Sequence, residues 1–296
     1  ARGSHASLLP SAPACGLLAG SLMVTGMFSV LSEDAMNTWG WRVPFLLAGP
    51  LGLIGRYIRV HLEDSPAYQE MRAEIPQEQK AASWSEQLRL LLREHLRETL
   101  ITFGVSCLNA VAFYMLLTYM PTYVHEELKF SQDTSTLATS VMLVVYIAAI
   151  FIMGHLSDSF GRRRMLIAAC VAFIALTIPL FVVMTKAAGV LVAVILCEIV
   201  FAIALTANDG TLATFLAESF PTNVRYSGFA LSFNGANALL GGTTPFIVTW
   251  LIKVTGSPLA PAVYLTVIAL IAMVAIFRSR TIHGSELTEE QAQPGA

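Results

Sequence analysis

Eight apolar runs of roughly bilayer-crossing length divide this 296-residue chain, and no other feature limits its possible folds as strongly. They extend approximately from Leu8 to Leu31, Trp41 to Ile58, Thr99 to Val124, Leu137 to Met153, Met165 to Thr185, Ala188 to Ala217, Phe229 to Ile252 and Leu259 to Phe277. A helix needs about 20 such residues to cross the hydrocarbon, where only helices and closed barrels satisfy their own backbone hydrogen bonds. Barrel strands would show segments of about ten residues with strict alternation, and that pattern is absent. Hydrophobic residues make up 55% of the chain and charged residues 13%, about half the charged share of a soluble domain. The expected fold class is an all-α integral membrane protein with eight transmembrane helices.

One charged turn anchors the topology. Gly154-His155-Leu156-Ser157-Asp158-Ser159-Phe160-Gly161-Arg162-Arg163-Arg164 lies between two long apolar runs, and an aspartate with three arginines does not belong in hydrocarbon. The turn is expected at a membrane surface. Of the 18 Lys and Arg, 14 fall in segments that share its side, and only Arg42, Lys129, Lys186 and Lys253 fall on the other. By the inside-positive bias the first side is cytoplasmic, which puts both termini there. The net charge of −2 carries no message about partners, and nothing suggests nucleic acid.

The chain divides into four parts. Residues 1–58 hold two spans, 59–98 form a polar cytoplasmic linker with short helices, 99–278 hold six spans, and 279–296 form a disordered cytoplasmic tail. In the linker, Ser65-Pro66 reads as a helix start. Ser83-Trp84-Ser85-Glu86 has capping-box spacing and opens a helix with an apolar stripe of Leu88, Leu91, Leu92 and Leu96, expected along the membrane surface, with a solvated linker helix as the alternative. Cys15, Cys107, Cys170 and Cys197 fall inside spans without metal-ligand spacing and read as apolar packing residues. The chain begins at Ala1 without an initiator methionine or a signal sequence and is read as a fragment. Arg2 to His5 fit either a short cytoplasmic loop or a cloning scar.

The turn from Gly154 to Arg164 resembles the G-x-L-[SA]-D-x-x-G-R-R-[RK] loop of the major facilitator superfamily. Gly40-Trp41-Arg42-Val43-Pro44-Phe45, Leu62-Glu63-Asp64-Ser65-Pro66-Ala67-Tyr68 and the stretch from Glu218 to Gly228 narrow the resemblance to the metabolite:proton symporter branch. The run from Phe113 to Pro121 looks most like its proline/betaine-transporting members. The resemblance implies a partial superfamily fold, helices five to twelve of twelve, with a complete C-terminal six-helix bundle. It also implies alternating access, and a cytoplasmic gate in which Asp158 and Arg162 pair, with Glu218 and Arg225 as their counterparts at the other inner turn. For the arginines the alternative is that they serve only as inside-positive anchors.

Two carboxylates lie inside the membrane, Glu198 and Asp209, eleven residues apart on the sixth run and so on nearly the same helical stripe. A charge there costs about 2.5–3.5 kcal/mol on insertion scales, so neither is expected to face lipid. A carboxyl that takes up and releases a proton is what a proton-coupled carrier needs, and both are candidates for proton or substrate handling. Asn109, Tyr114 and Tyr119 on the third run, Tyr146 on the fourth, and Asn234 and Asn237 on the seventh complete a candidate polar centre. Ordinary interhelical hydrogen bonding is the competing explanation for each. Gly241, Gly242 and Pro245 interrupt the seventh run and are expected to form a hinge. Gly16 and Gly20 have the spacing of a close helix contact, and Trp39, Trp41 and Tyr123 fall at span ends as interface anchors.

No nucleotide loop, metal cluster or nucleophile with its base is present. An intramembrane enzyme is disfavoured because His155 is the only histidine near a carboxylate and lacks a nucleophile at useful spacing. The expectation is a monomeric, multi-pass inner-membrane transporter with no cofactor, driven by the proton gradient. Its substrate would be a small zwitterionic osmolyte, proline or betaine, or a carboxylate of the 2-oxoglutarate type, held in part by cation–π contact with Phe113, Tyr114 or Tyr119. A truncated, transport-inactive permease is the alternative.

Overall fold

The structure, a computed structural model, describes residues 8–61, 84–221 and 224–279. Helices α1 (Leu8–Val30) and α2 (Arg42–His61) are followed by α3 (Trp84–Glu94). Then come α4 (Leu96–Glu126), α5 (Gln132–Phe160), α6 (Arg162–Lys186), α7 (Leu191–Glu218), α8 (Arg225–Thr255) and α9 (Ala260–Arg278). Among the described residues there is no strand. Among the described residues seven helices, α1 and α4 to α9, are long and apolar enough to cross a membrane. The eighth expected span forms the helix α2 and is not among those seven. The expected helix start at Ser65-Pro66 and the capping residue Ser83 lie outside the described residues.

Helices α4 to α9 make a six-helix bundle. Helix α7 lies between α5 and α6, α6 packs on α9, α9 on α4, and α4 on α8, while α1 leans on α5. The charged turn between the two long runs shrinks to one residue: Gly161, at φ 88°, separates the end of α5 from the start of α6. A left-handed conformation at this tight reversal explains glycine there. The outward faces keep large apolar side chains such as Val192, Leu239 and Phe246 exposed, as a lipid-facing surface requires.

Where helices approach most closely, glycine makes room. A Cβ on Gly210 of α7 would stand 3.1 Å from the backbone nitrogen of Gly154 on α5, and one on Gly104 of α4 would stand 2.8 Å from the Ala275 Cβ of α9. Gly16 and Gly20 correct the spacing argument, because a Cβ at either meets nothing within 4 Å. Spacing identifies residues that permit a close contact; the neighbouring surface decides whether one forms. Tyr123 is also corrected. It is 1% exposed, donates its hydroxyl to the Pro258 carbonyl at 2.8 Å and packs edge-on against Phe181, so it staples the end of α4 to the start of α9. Cys107, Cys170 and Cys197 are buried as expected, and Cys15 is exposed.

The apolar stripe expected on α3 is unevenly buried. Leu91 is buried with Phe220 and Val224 in a small cluster, and the Phe220 ring occupies the space a Cβ on Gly228 would need, at 2.6 Å. Leu92 and Leu96 remain exposed. Replacing Gly210 by valine should destabilise the detergent-solubilised protein by about 1–3 kcal/mol, because the obstructing atoms are backbone and cannot yield. Gly16→Ala should leave the thermal midpoint unchanged, and equal effects of the two substitutions would refute this assignment of the close contact.

Candidate functional site

Asp209 sits near the middle of α7 and is only 3% exposed. Two other helices answer its carboxyl. Asn109 of α4 donates through Nδ2 to Oδ1 at 2.7 Å, and the Tyr146 hydroxyl of α5 donates to Oδ2 at 2.6 Å. Both donors are buried. The close backbone approach at Gly154 and Gly210 lies next to this triad and brings α5 near enough for Tyr146 to reach. Such short bonds stabilise a buried polar group that would otherwise cost several kcal/mol.

Asp209 and Asn109 also line a cavity of about 650 Å³, within the range of small-molecule sites. Phe113 and Tyr114 of α4 and Phe229 and Phe233 of α8 form aromatic walls. Pro10 and Pro13 of α1 and Leu212 of α7 add apolar surface, while Asn234 and Asn237 add two amides. Asn237 donates to the Phe233 carbonyl at 2.9 Å. Of the residues singled out in the sequence, the structure thus gathers Asn109, Tyr114, Asp209, Asn234 and Asn237 at one cavity, with Tyr146 directly behind Asp209. Phe229 and Phe233 escaped the sequence reading, although their spacing of four on an apolar helix was a usable signal; their rings stack at 5.6 Å.

Two candidates lie elsewhere. The Tyr119 hydroxyl is engaged with Thr249 at 3.0 Å, on the opposite side of the α4 irregularity from the cavity. Glu198 is 0% exposed and lies about three turns before Asp209, towards the start of α7. Neither of its carboxyl oxygens meets a hydrogen-bond donor among the described residues. Asn208, also fully buried with both amide atoms unpartnered among those residues, is a further polar group that the sequence reading missed.

The charged end of the bundle forms a clasp. Arg162, first residue of α6, bridges Asp158 on the last turn of α5 at 3.8 Å and Glu218 at the end of α7. Arg225 donates through Nε to the Phe220 carbonyl at 3.2 Å. Arg163 and Arg97 donate to the carbonyls of Phe277 and Arg278, which puts two cations at the C-terminus of α9, where the helix dipole favours them.

Helix α8 is interrupted where the glycines and proline stand. Residues Asn237–Gly241 form a π turn, Gly242 donates its N–H to the Asn237 carbonyl at 2.8 Å, and regular helix resumes at Thr244 with Pro245 in its first turn. Helix α4 contains a second π segment, Phe113–Tyr119, and a third, Met36–Gly40, precedes α2. In each case a proline follows whose residue four back lies in the segment: Pro44 with Gly40, Pro121 with Leu117, Pro245 with Gly241. A proline ring displaces that carbonyl, and the ladder absorbs the fault as an extra residue. Pro13, Pro50 and Pro179 sit inside helices without such a segment. The two π segments of the bundle meet at the cavity, where the Tyr114 ring rests on Gly241 so closely that a Cβ there would stand 2.7 Å from it.

With this geometry in place, comparison with known proteins is informative. Residues 67–292 match the family model described as sugar (and other) transporter. The chain is 34% identical over 280 residues to the proline/betaine transporter of Salmonella typhimurium, covering 92% of this chain and 55% of that protein. It is 34% identical over 278 residues to the glycine betaine/proline/ectoine/pipecolic acid transporter of Dickeya dadantii, covering 92% and 54%. Against the proline/betaine transporter of Escherichia coli K12 it is 32% identical over 280 residues, covering 92% and 55%. The chain therefore spans about half the length of the curated relatives it matches.

The triad yields a graded expectation. Asp209→Ala strips the acceptor from two buried donors and should cost about 1–3 kcal/mol for each donor left unsatisfied, whereas Tyr146→Phe removes one hydrogen bond and should cost about 1 kcal/mol. Thermal unfolding of both variants in detergent checks this. A Tyr146→Phe protein as unstable as Asp209→Ala would contradict the shared-acceptor geometry.

Proposed function

This chain belongs to the sugar (and other) transporter family of the major facilitator superfamily, and from that premise we propose that it carries a small zwitterionic osmolyte, proline or betaine, across the inner membrane by symport with protons. It is a membrane transporter rather than an enzyme. Transport proceeds by alternating access, in which two bundles rock about a midplane site. In this reading both termini face the cytoplasm, the protein works as a monomer, and the proton gradient takes the place of a cofactor. The observation that carries the proposal is the cavity walled by aromatic rings around a buried carboxyl. A zwitterion with a cationic head suits it, whereas a dicarboxylate of the 2-oxoglutarate type would bring like charge against Asp209.

The two intramembrane carboxyls divide the work. Asp209, held by Asn109 and Tyr146, stays in place at the cavity wall as the counter-charge for the substrate head. Glu198, which no donor among the described residues holds as an anion, exchanges the coupled proton as its surroundings change between the two states. The Arg162 clasp joins three helix ends, favours the state closed to the cytoplasm, and is loosened when water enters.

Cells expressing the gene in its full length should accumulate labelled betaine and proline above vector controls, and a protonophore should abolish the accumulation. Uptake indifferent to the protonophore would remove the symport proposal. Glu198→Gln should lose accumulation yet keep exchange of labelled for unlabelled substrate, and a fully accumulating variant would clear Glu198. Separately, Arg162→Gln should lower the maximal uptake rate by about 5–150-fold, the usual range of coupling energies, with substrate affinity of the purified protein changed less than twofold. An unaltered maximal rate would reduce the clasp to a topological anchor.

A further inference from the structure

The cavity contains more aromatic surface than a site for hydrogen-bonding ammonium groups would need. Phe113 and Tyr114 enter it from α4, and both consecutive residues reach it because the π segment that begins at Phe113 widens the turn. Their rings meet edge to face at 6.0 Å. Phe229 and Phe233 enter from α8 as a stacked pair. Each carboxyl oxygen of Asp209 already accepts one bond from the protein, so fewer of its lone pairs remain for the N–H groups of a ligand.

A secondary ammonium such as that of proline carries N–H groups that lose water on entry and require acceptors in exchange. A fully methylated ammonium has no N–H to satisfy. Its charge is spread over methyl groups that lie well against ring faces, an attraction that strengthens when the pair is desolvated. We propose that Phe229 and Phe233, facing the cavity with Phe113 and Tyr114 around the Asp209 carboxyl, determine specificity by selecting a quaternary ammonium head over an ammonium that bears N–H groups. The exposed Asn234 amide on the same wall takes the carboxylate end of the zwitterion. This inference rests on the transport reading above and adds to it which solute the site prefers and which side chains make the choice.

The test compares labelled glycine betaine with labelled proline in cells expressing the full-length gene as wild type, Phe229→Leu, Phe233→Leu and Phe233→Trp, with membrane abundance measured by a fluorescent tag. The wild type should show the lower half-saturation for betaine. Each leucine variant should raise the betaine value about tenfold, the equivalent of one lost cation–π contact, and change the proline value less than twofold, while Phe233→Trp keeps the betaine value near wild type. A second measurement needs no variant: tetramethylammonium should inhibit wild-type betaine uptake at concentrations at least threefold below those of pyrrolidinium, and it decides the matter if the leucine variants fail to reach the membrane. Equal inhibition by the two cations, or leucine variants that impair both solutes alike, would overturn the aromatic selection while leaving transport intact. A wild type that takes up neither solute would overturn the transport reading, and the selection with it.

Discussion

A carboxyl withdrawn from water must be answered by donors, and in this bundle the answer comes from two neighbouring helices. Asp209 on α7 receives Asn109 from α4 and Tyr146 from α5, so one side chain sets the register of three spans. In a bilayer, apolar side chains gain little by choosing a helix over lipid, and polar bonds and close backbone contacts carry more of the specificity. The pairing of Gly154 with Gly210 supplies that backbone contact beside the carboxyl. Fixing Asn109 also fixes the next turn of α4, where Phe113 and Tyr114 face the same cavity.

The spans, the charged turn, the interruption of α8 and most of the polar centre were legible in the sequence because each obeys a local rule. Long apolar runs must be helices in hydrocarbon, three arginines must mark a surface, and Gly241-Gly242 before Pro245 must disturb a helix. Contacts that depend on a partner helix were not legible. Gly16 and Gly20 have the spacing of a tight crossing, yet a Cβ at either meets nothing within 4 Å among the described residues, while Gly104, with no such motif, makes a close approach, as does Gly210. Tyr123 at a span end has the position of an interface anchor, yet its hydroxyl finds the Pro258 carbonyl across the bundle and the ring is buried. The π segment in α4 left one trace in the sequence, Pro121, whose effect on the ladder four residues back was there to be read.

The two ends of the bundle are built from different interactions. At the charged end, Arg162 holds the termini of α5, α6 and α7 together, and Arg97 and Arg163 close the last carbonyls of α9. These contacts are partly exposed and strengthen or weaken with the water around them. The cavity is enclosed by rings and by a carboxyl whose bonds are buried. A disturbance at the clasp thus reaches the helix ends first, and reaches the cavity through α7, which carries Asp209 and Glu218, and through α5, which carries Tyr146 and Asp158.

Helix α8 provides the contrast. It packs chiefly on α4, it is broken between Asn237 and Thr243, and it bears two of the four rings that wall the cavity. A helix that has given up a regular hydrogen bond bends at lower cost than an intact one. The break falls one turn beyond the stacked Phe229 and Phe233 and directly against the Tyr114 ring. Half of the aromatic wall therefore stands on α4, pinned through Asn109 to the buried carboxyl, and half on the first part of α8, which Ser232 ties to Thr99 and Thr102 of the same α4. The rings before the break are thus held to α4, and what the break leaves least constrained is the part of α8 beyond Gly242. In the proposed reading, any movement of α8 on binding a cationic head would be taken up there rather than at the rings.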